Sequence, residues 1–194
     1  DADCVIVATG GMSYPSTGST GDGYQWAQAA GLKGTALSPA LVPFETAELE
    51  IVKSLQGLSL KNVEAAVFNG KKELYRDFGE MLFTHFGVSG PLMLSASSFC
   101  AKAIAKNLLK LSIDLKPALT EEQLDERILR DFAEAKNKQF KNSLNHLYPA
   151  KLVPVIIERS GIDPDKQVNE ITKEERRHLV QSTKALTFTL TGLR

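Results

Sequence analysis

The sequence predicts an α+β fold in which a β domain is interrupted by a helical module and preceded by a strand–loop–helix unit. Three observations carry this prediction. Short apolar segments flanking Asn69-Gly70 mark a hairpin between Val63 and Phe78. Helical periodicity sets in after Pro117. Clean apolar/threonine alternation then resumes in Ala185-Leu186-Thr187-Phe188-Thr189-Leu190-Thr191, a half-buried strand that needs partners earlier in the chain. The predicted organisation is a strand–loop–helix unit over 1–40, a β domain over 41–116 plus 184–194, and a helical module over 117–183.

Taken in order, Cys4-Val5-Ile6-Val7-Ala8 is a continuous, mostly β-branched run that suits a strand buried on both faces of a parallel sheet. Residues 9–23 hold five of the 14 glycines among hydroxyl residues and read as a loop. A helix is expected from Asp22, with Asp22 as its cap and Gly31 as its stop. Ser38-Pro39 and Val42-Pro43 break helical continuity, and extended segments begin around Leu41 to Phe44. Asn-Gly favours a type I′ turn, because both residues tolerate positive φ. Ser89 as cap and Pro91 in the first turn introduce a helix over Leu92–Ala105, and Leu109–Leu115 alternates as a strand. Thr120 and Gln123 form a capping-box pattern before Leu124, Ile128, Leu129 and Phe132. Further helices are predicted at Phe140–Leu147, Ala150–Arg159 and Lys173–Ser182.

The chain has 194 residues, with 23 Lys+Arg against 23 Asp+Glu. Balanced charge gives no global case for a polyanion or a membrane surface. Cys4 and Cys100 lie far apart without CxxC or Cys/His spacing, so neither a disulfide framework nor a metal site is expected, and a reducing, cytoplasmic setting fits best. No apolar run approaches the roughly 18 residues that suggest a spanning helix. The sequence opens on Asp1-Ala2-Asp3 without Met, which reads as a piece of something longer. A Cys4–Ala8 strand lacking its parallel neighbours is then expected to lie on the β domain, pair with a second copy through its edge, or fray.

The loop Gly10–Gly23 has the glycines to bring backbone N–H groups near a phosphate, but it lacks Gly-Lys-Ser/Thr and does not complete GxGxxG; a dinucleotide role and a plain structural turn both stay open. His85, in a glycine-flanked bend, could act as an acid, donate to a ligand or serve the fold. His146 and His178 have no partner at ligand spacing and read as surface or packing residues. Ser89 does not complete a nucleophile elbow, because Pro91 stands where GxSxG needs its second glycine, and capping is the simpler role. Lys136, Lys138, Lys141 and Lys151 form a basic stretch with no acidic residue between its ends, beside an acidic helix. It reads as a solvated face, with a nucleic-acid footprint as the alternative.

Three stretches together resemble one family. They are Ala8–Pro15 with Thr17–Tyr24, Leu55–Val63, and Gly79–Pro91. In these the sequence resembles the HI0933-like (YhiN/BaiN-like) flavoproteins, NAD(P)/FAD-dependent oxidoreductases. The resemblance implies that 1–40 belongs to a Rossmann-type FAD-binding domain, and that the rest is a β-barrel-like insert carrying the helical module. It implies FAD in the intact parent, NAD(P)H as co-substrate and a small-molecule substrate, with the remainder of the parent chain as the partner. The family's GxGxxG is not in this sequence, so no cofactor is expected to stay bound to this stretch alone. By position, Ala8, Thr9, Gly10 and Gly11 correspond to the Ala-Thr-Gly stretch that brings backbone near FAD, and Ser13, Tyr14 and Pro15 fall in the loop nearest the flavin. Thr84, His85, Ser89, Gly90 and Pro91 belong to the insert's signature. A place for them in the substrate or flavin cleft is the reading that follows, with His85 as catalytic candidate. The alternatives are a binding module whose helices contact nucleic acid or protein, and a lid without a ligand of its own.

Overall fold

The computed structural model describes residues 2–194, and the chain divides into two compact units, one ending at Ser38 and the other running from Pro39 to Arg194. In the first unit Cys4–Ala8 does not form the predicted strand. Val5 and Ile6 are 82% and 91% exposed, and no described strand pairs with the run. β-branched composition favours extended backbone, but a strand forms only when neighbouring strands take its N–H and C=O groups. Residues 9–21 form the predicted loop, containing one 3₁₀ turn at Pro15–Thr17. Helix α1 spans Asp22–Ala29. Its cap is Gly21, at φ +86°, rather than Asp22, which is the first helical residue and accepts a 3.1 Å hydrogen bond from the Thr20 hydroxyl. There its charge still favours the positive end of the helix dipole. Gly31, at φ +84°, follows the helix as its expected stop.

The second unit is built on strands β1 (Phe44–Thr46), β2 (Ser59–Asn69), β3 (Lys72–Phe83), β4 (Gly87–Ser89), β5 (Leu109–Asp114) and β6 (Leu186–Leu193). They close into an antiparallel barrel in the order β1-β4-β3-β2-β5-β6, with β6 returning to β1. Closure removes sheet edges. Alternation decides which residues fill the interior: Leu109, Leu111 and Ile113 of β5 stand opposite Leu190, Phe188 and Leu186 of β6, and all six are buried. Val67 of β2 continues the Leu111 layer, and the rings of Phe83 and Phe188 meet at 5.5 Å. Helix α2 (Leu49–Ser54) is a short element that periodicity alone did not reveal. Helix α3 (Pro91–Ile104) connects β4 to β5 and packs on β3, burying Leu92, Met93, Ala96 and Cys100.

Two local expectations change. The central residues of the β2–β3 turn are Gly70 and Lys71, and positive φ occurs at Gly70 alone (+58°), so Asn69 ends the strand opposite Lys72 instead of forming half of a type I′ turn. The helix at Pro91 is capped by Gly90, not Ser89. Gly90 has φ +90°, and a Cβ there would lie 2.9 Å from the Leu82 nitrogen, so a close backbone approach reserves the position for glycine. Ser89 ends β4 opposite Leu82.

The helical module leaves the barrel after β5 and returns before β6. The Leu115 N–H donates to the Thr183 carbonyl at 3.0 Å, and Lys184 pairs with Asp114 at 2.5 Å where both side chains are largely covered. Helices α4 (Glu121–Glu134), α5 (Val153–Ser160) and α6 (Lys173–Lys184) compose it. The Thr120/Gln123 capping box forms as predicted, and a second one, Thr172 with Glu175, opens α6. Phe140–Leu147 is the exception, with only one 3₁₀ turn at Phe140–Asn142. Its backbone donors are taken by a distant segment, Phe140 N–H to Lys166 C=O at 2.9 Å and Lys141 N–H to Pro164 C=O at 3.1 Å. Between the helices the Tyr148 hydroxyl meets that of Thr183 at 2.5 Å, inside a core containing Leu124, Ile128, Phe140, Leu144 and Ile156.

Candidate functional site

The sequence-predicted site residues fall in both units. In the first, Ala8–Pro15 lies on the loop ahead of α1, with Ala8, Gly10, Ser13, Tyr14 and Pro15 exposed and Thr9 and Gly11 half-buried. The loop folds back on the start of that helix. A Cβ at Gly23 would come within 2.6 Å of the Thr9 hydroxyl, and one at Gly10 within 3.1 Å of the Ser19 hydroxyl. Glycine at both positions therefore lets Thr9–Gly11 sit against residues 19–23. Tyr14 turns the chain at φ +55°, and its carbonyl accepts from the Thr17 hydroxyl at 2.7 Å. Among the described residues the N–H groups of Thr9, Gly10 and Gly11 donate to no protein acceptor.

In the second unit Thr84, His85, Phe86 and Gly87 turn the chain from β3 into β4. The Thr84 hydroxyl accepts from the Gly87 N–H at 3.1 Å and the Phe86 N–H at 3.4 Å, while the Thr84 N–H donates to the Gly87 carbonyl at 2.9 Å. Gly87 stands opposite Glu45, and a Cβ on it would overlap the Phe44 carbonyl oxygen at 2.1 Å. The Phe86 carbonyl accepts from the Thr46 N–H at 3.2 Å. These contacts lock the turn onto β1 and leave His85 exposed, its imidazole edge-on to the Phe86 ring with centroids 5.0 Å apart. The guanidinium of Arg194 lies over the same ring at 4.2 Å, and its nearest carboxylate, Glu45, is 3.8 Å away.

Thr84 and His85 are thus placed together, one organising the turn and the other exposed on it. Ser89 and Gly90 are used by the fold, as strand end and helix cap. Phe86, Glu45 and Arg194 were not singled out as site residues. Phe86 sits in a recognisable motif, but only the β1–β6 pairing, Phe44 opposite Leu193, brings Arg194 to the turn. The basic stretch is exposed and partly neutralised: Lys141 pairs with Asp165 at 2.5 Å, and Lys151 donates to the Gln56 carbonyl at 2.9 Å. His146 and His178 are exposed. Among the described residues no cluster of His, Cys, Asp and Glu could hold a metal ion, and no helix is long and apolar enough to cross a membrane.

Residues 38–194 match the family described as HI0933-like protein barrel and H2TH domain. The chain belongs to the HI0933-like family. The closed barrel with its inserted helices is the structure of this HI0933-like region. Over 189 residues the chain is 33% identical to a ribosomal RNA dihydrouridine synthase of Haemophilus influenzae, covering 97% of this chain and 44% of that protein. It is 27% identical over 190 residues to a 3-dehydro-bile acid delta(4,6)-reductase of Clostridium scindens, covering 97% of this chain and 46% of the relative. A second ribosomal RNA dihydrouridine synthase, from Escherichia coli, is 28% identical over 180 residues, covering 92% and 42%. The HI0933-like chain spans less than half the length of these relatives.

Proposed function

We propose that this HI0933-like chain is a region of an FAD-dependent oxidoreductase that moves hydride or electrons between NAD(P)H, FAD and a substrate. The observation that carries the reading is the family membership over 38–194 together with relatives whose names, dihydrouridine synthase and delta(4,6)-reductase, both describe a reduction. The isoalloxazine supplies the redox chemistry when FAD is bound. The residues here fit one edge of such a site: the glycines at 10 and 11 keep backbone accessible, and their N–H groups are uncommitted within the described residues. Ala8–Gly11 and the Ser13–Pro15 segment would bring backbone to the flavin, and the Thr84–Gly90 turn would face substrate. The pyrophosphate-holding GxGxxG is not in this sequence, so this stretch by itself is expected to hold FAD weakly or not at all. The exposed Val5, Ile6, Met12 and Trp26 support a packing partner for the first unit, which we take to be further flavin-domain polypeptide. Two free cysteines suit a cytoplasmic setting. The test is the absorption spectrum of the full-length protein followed by its oxidation of NADH and NADPH. A flavin spectrum bleached by either nucleotide is the expected result, and a colourless full-length protein contradicts the reading.

A second reading, in which the helices of 117–183 contact nucleic acid, draws on the ribosomal RNA in the names of two relatives. The ion pair of Lys141 with Asp165 weighs against a strong phosphate footprint. Binding of a structured RNA that weakens steeply between 50 and 200 mM salt, on the order of a thousandfold for six phosphate contacts, is the signature required.

A further inference from the structure

We propose that Arg194 and His85, held about Phe86, form a binding site for a planar oxyanion, a carboxylate. The inference deepens the reading of the Thr84–Gly90 turn as substrate-facing and rests on it. Arg194 is fixed at both ends. Its N–H donates to the Pro43 carbonyl at 3.0 Å, and its guanidinium stacks on Phe86 at 4.2 Å. A guanidinium placed over an aromatic face keeps its edge N–H groups for other partners, and their fork matches two oxygens of a carboxylate. Glu45 does not use them, since 3.8 Å is too long for a hydrogen bond, and among the described residues the guanidinium makes no other. Half of the Arg194 side chain is exposed.

His85 supplies a second donor at the same ring. Its imidazole is exposed, edge-on to Phe86, and positioned by a turn that Thr84 and the Gly87–Phe44 contact hold rigid. A cation, an imidazole and a flat apolar ring are therefore pre-organised at one end of the barrel, which lowers the ordering cost of binding. The stacked guanidinium presents a planar fork that favours a planar oxyanion, and the imidazole beside the same ring adds a second polar group that favours oxygen carrying negative charge. Among the described residues Glu45 is the one side-chain carboxylate within 4 Å of the guanidinium, so it competes with an incoming anion.

The test uses the whole chain, isotopically labelled, titrated with sodium benzoate at constant ionic strength while the His85 Cε1–H and Arg194 Nε–H resonances are followed. Both are expected to shift saturably with benzoate and not with benzyl alcohol. Arg194→Ala should weaken benzoate at least about tenfold, Arg194→Lys less, and Glu45→Gln should tighten it. Unchanged benzoate affinity in Arg194→Ala overturns the site, and inorganic phosphate binding as tightly as benzoate overturns the planar ligand. Flavin content of the full-length protein is a separate measurement, so a colourless protein removes the oxidoreductase reading while the titration still decides this one.

Discussion

Single positions show how steeply the barrel constrains its sequence. Gly87→Ala places a methyl group on the Phe44 carbonyl, which backbone hydrogen bonds hold in place, and should cost at least about 3 kcal/mol or prevent folding. Gly192→Ala, in β6 of the same barrel, meets only the Glu45 carboxylate at 3.6 Å and should stay within about 0.5 kcal/mol, so urea unfolding of the two variants separates a packing requirement from a general dislike of alanine. Burial likewise raises the Tyr148 hydroxyl to about 12 from its ordinary 10, while its bond to Thr183 pulls the other way. The buried Cys100 thiol is pushed up to about 11. Raised values mean that the folded chain keeps protons the unfolded chain has already released. These two groups therefore contribute their full stability below about pH 9, and the contribution is lost between about pH 9 and 12. Tyr148→Phe should flatten the upper part of that alkaline loss, at the cost of about 1 kcal/mol near neutrality for the missing hydrogen bond. Stability that falls as steeply in the variant above pH 10 would show that Tyr148 is not its source.

At the scale of elements, the parts legible in the sequence are those whose chemistry is local. Thr120 with Gln123, the alternation of β5 and β6, and the glycine of the β2–β3 turn each specify their neighbourhood within a few residues. Thr120→Ala and Thr172→Ala should each cost about 1 kcal/mol, measured by thermal unfolding, because each removes a cap that satisfies an otherwise unpaired helix donor. Gly70→Ala should cost about 1 kcal/mol while Asn69→Ala costs less, since positive φ falls on Gly70 alone; the opposite order would restore the Asn-Gly turn. The elements that composition misjudged depend on distant partners. Cys4–Ala8 has strand composition and no strand beside it, and the 140–147 segment has helical apolar spacing but gives its donors to residues 164 and 166. The site divides the same way. Thr84 and His85 lie inside a readable motif, whereas Arg194 reaches Phe86 only through barrel closure.

For the whole molecule, the two units should not unfold together. Among the described residues every member of the buried hydrophobic core lies between Phe44 and Leu190, and α1 buries no side chain. The first unit therefore has little apolar burial to offset its conformational entropy, whereas the second closes a barrel around Phe44, Phe83 and Phe188 and fills the helical module behind it. The single tryptophan, Trp26, belongs to α1 and is more than half exposed, so its fluorescence reports the first unit. Far-ultraviolet circular dichroism is dominated by the strands and helices of the second. Heating should give a shallow change in tryptophan emission ahead of a cooperative loss of ellipticity, which breaks the coincidence required of two-state unfolding. Removing residues 1–38 should then leave the main transition within about 2 °C of its original midpoint, because less than about 1 kcal/mol is lost. Coincident transitions, or a midpoint lowered by about 5 °C or more, would mean that the first unit shares the cooperative core and that its exposed apolar side chains have a partner within this chain.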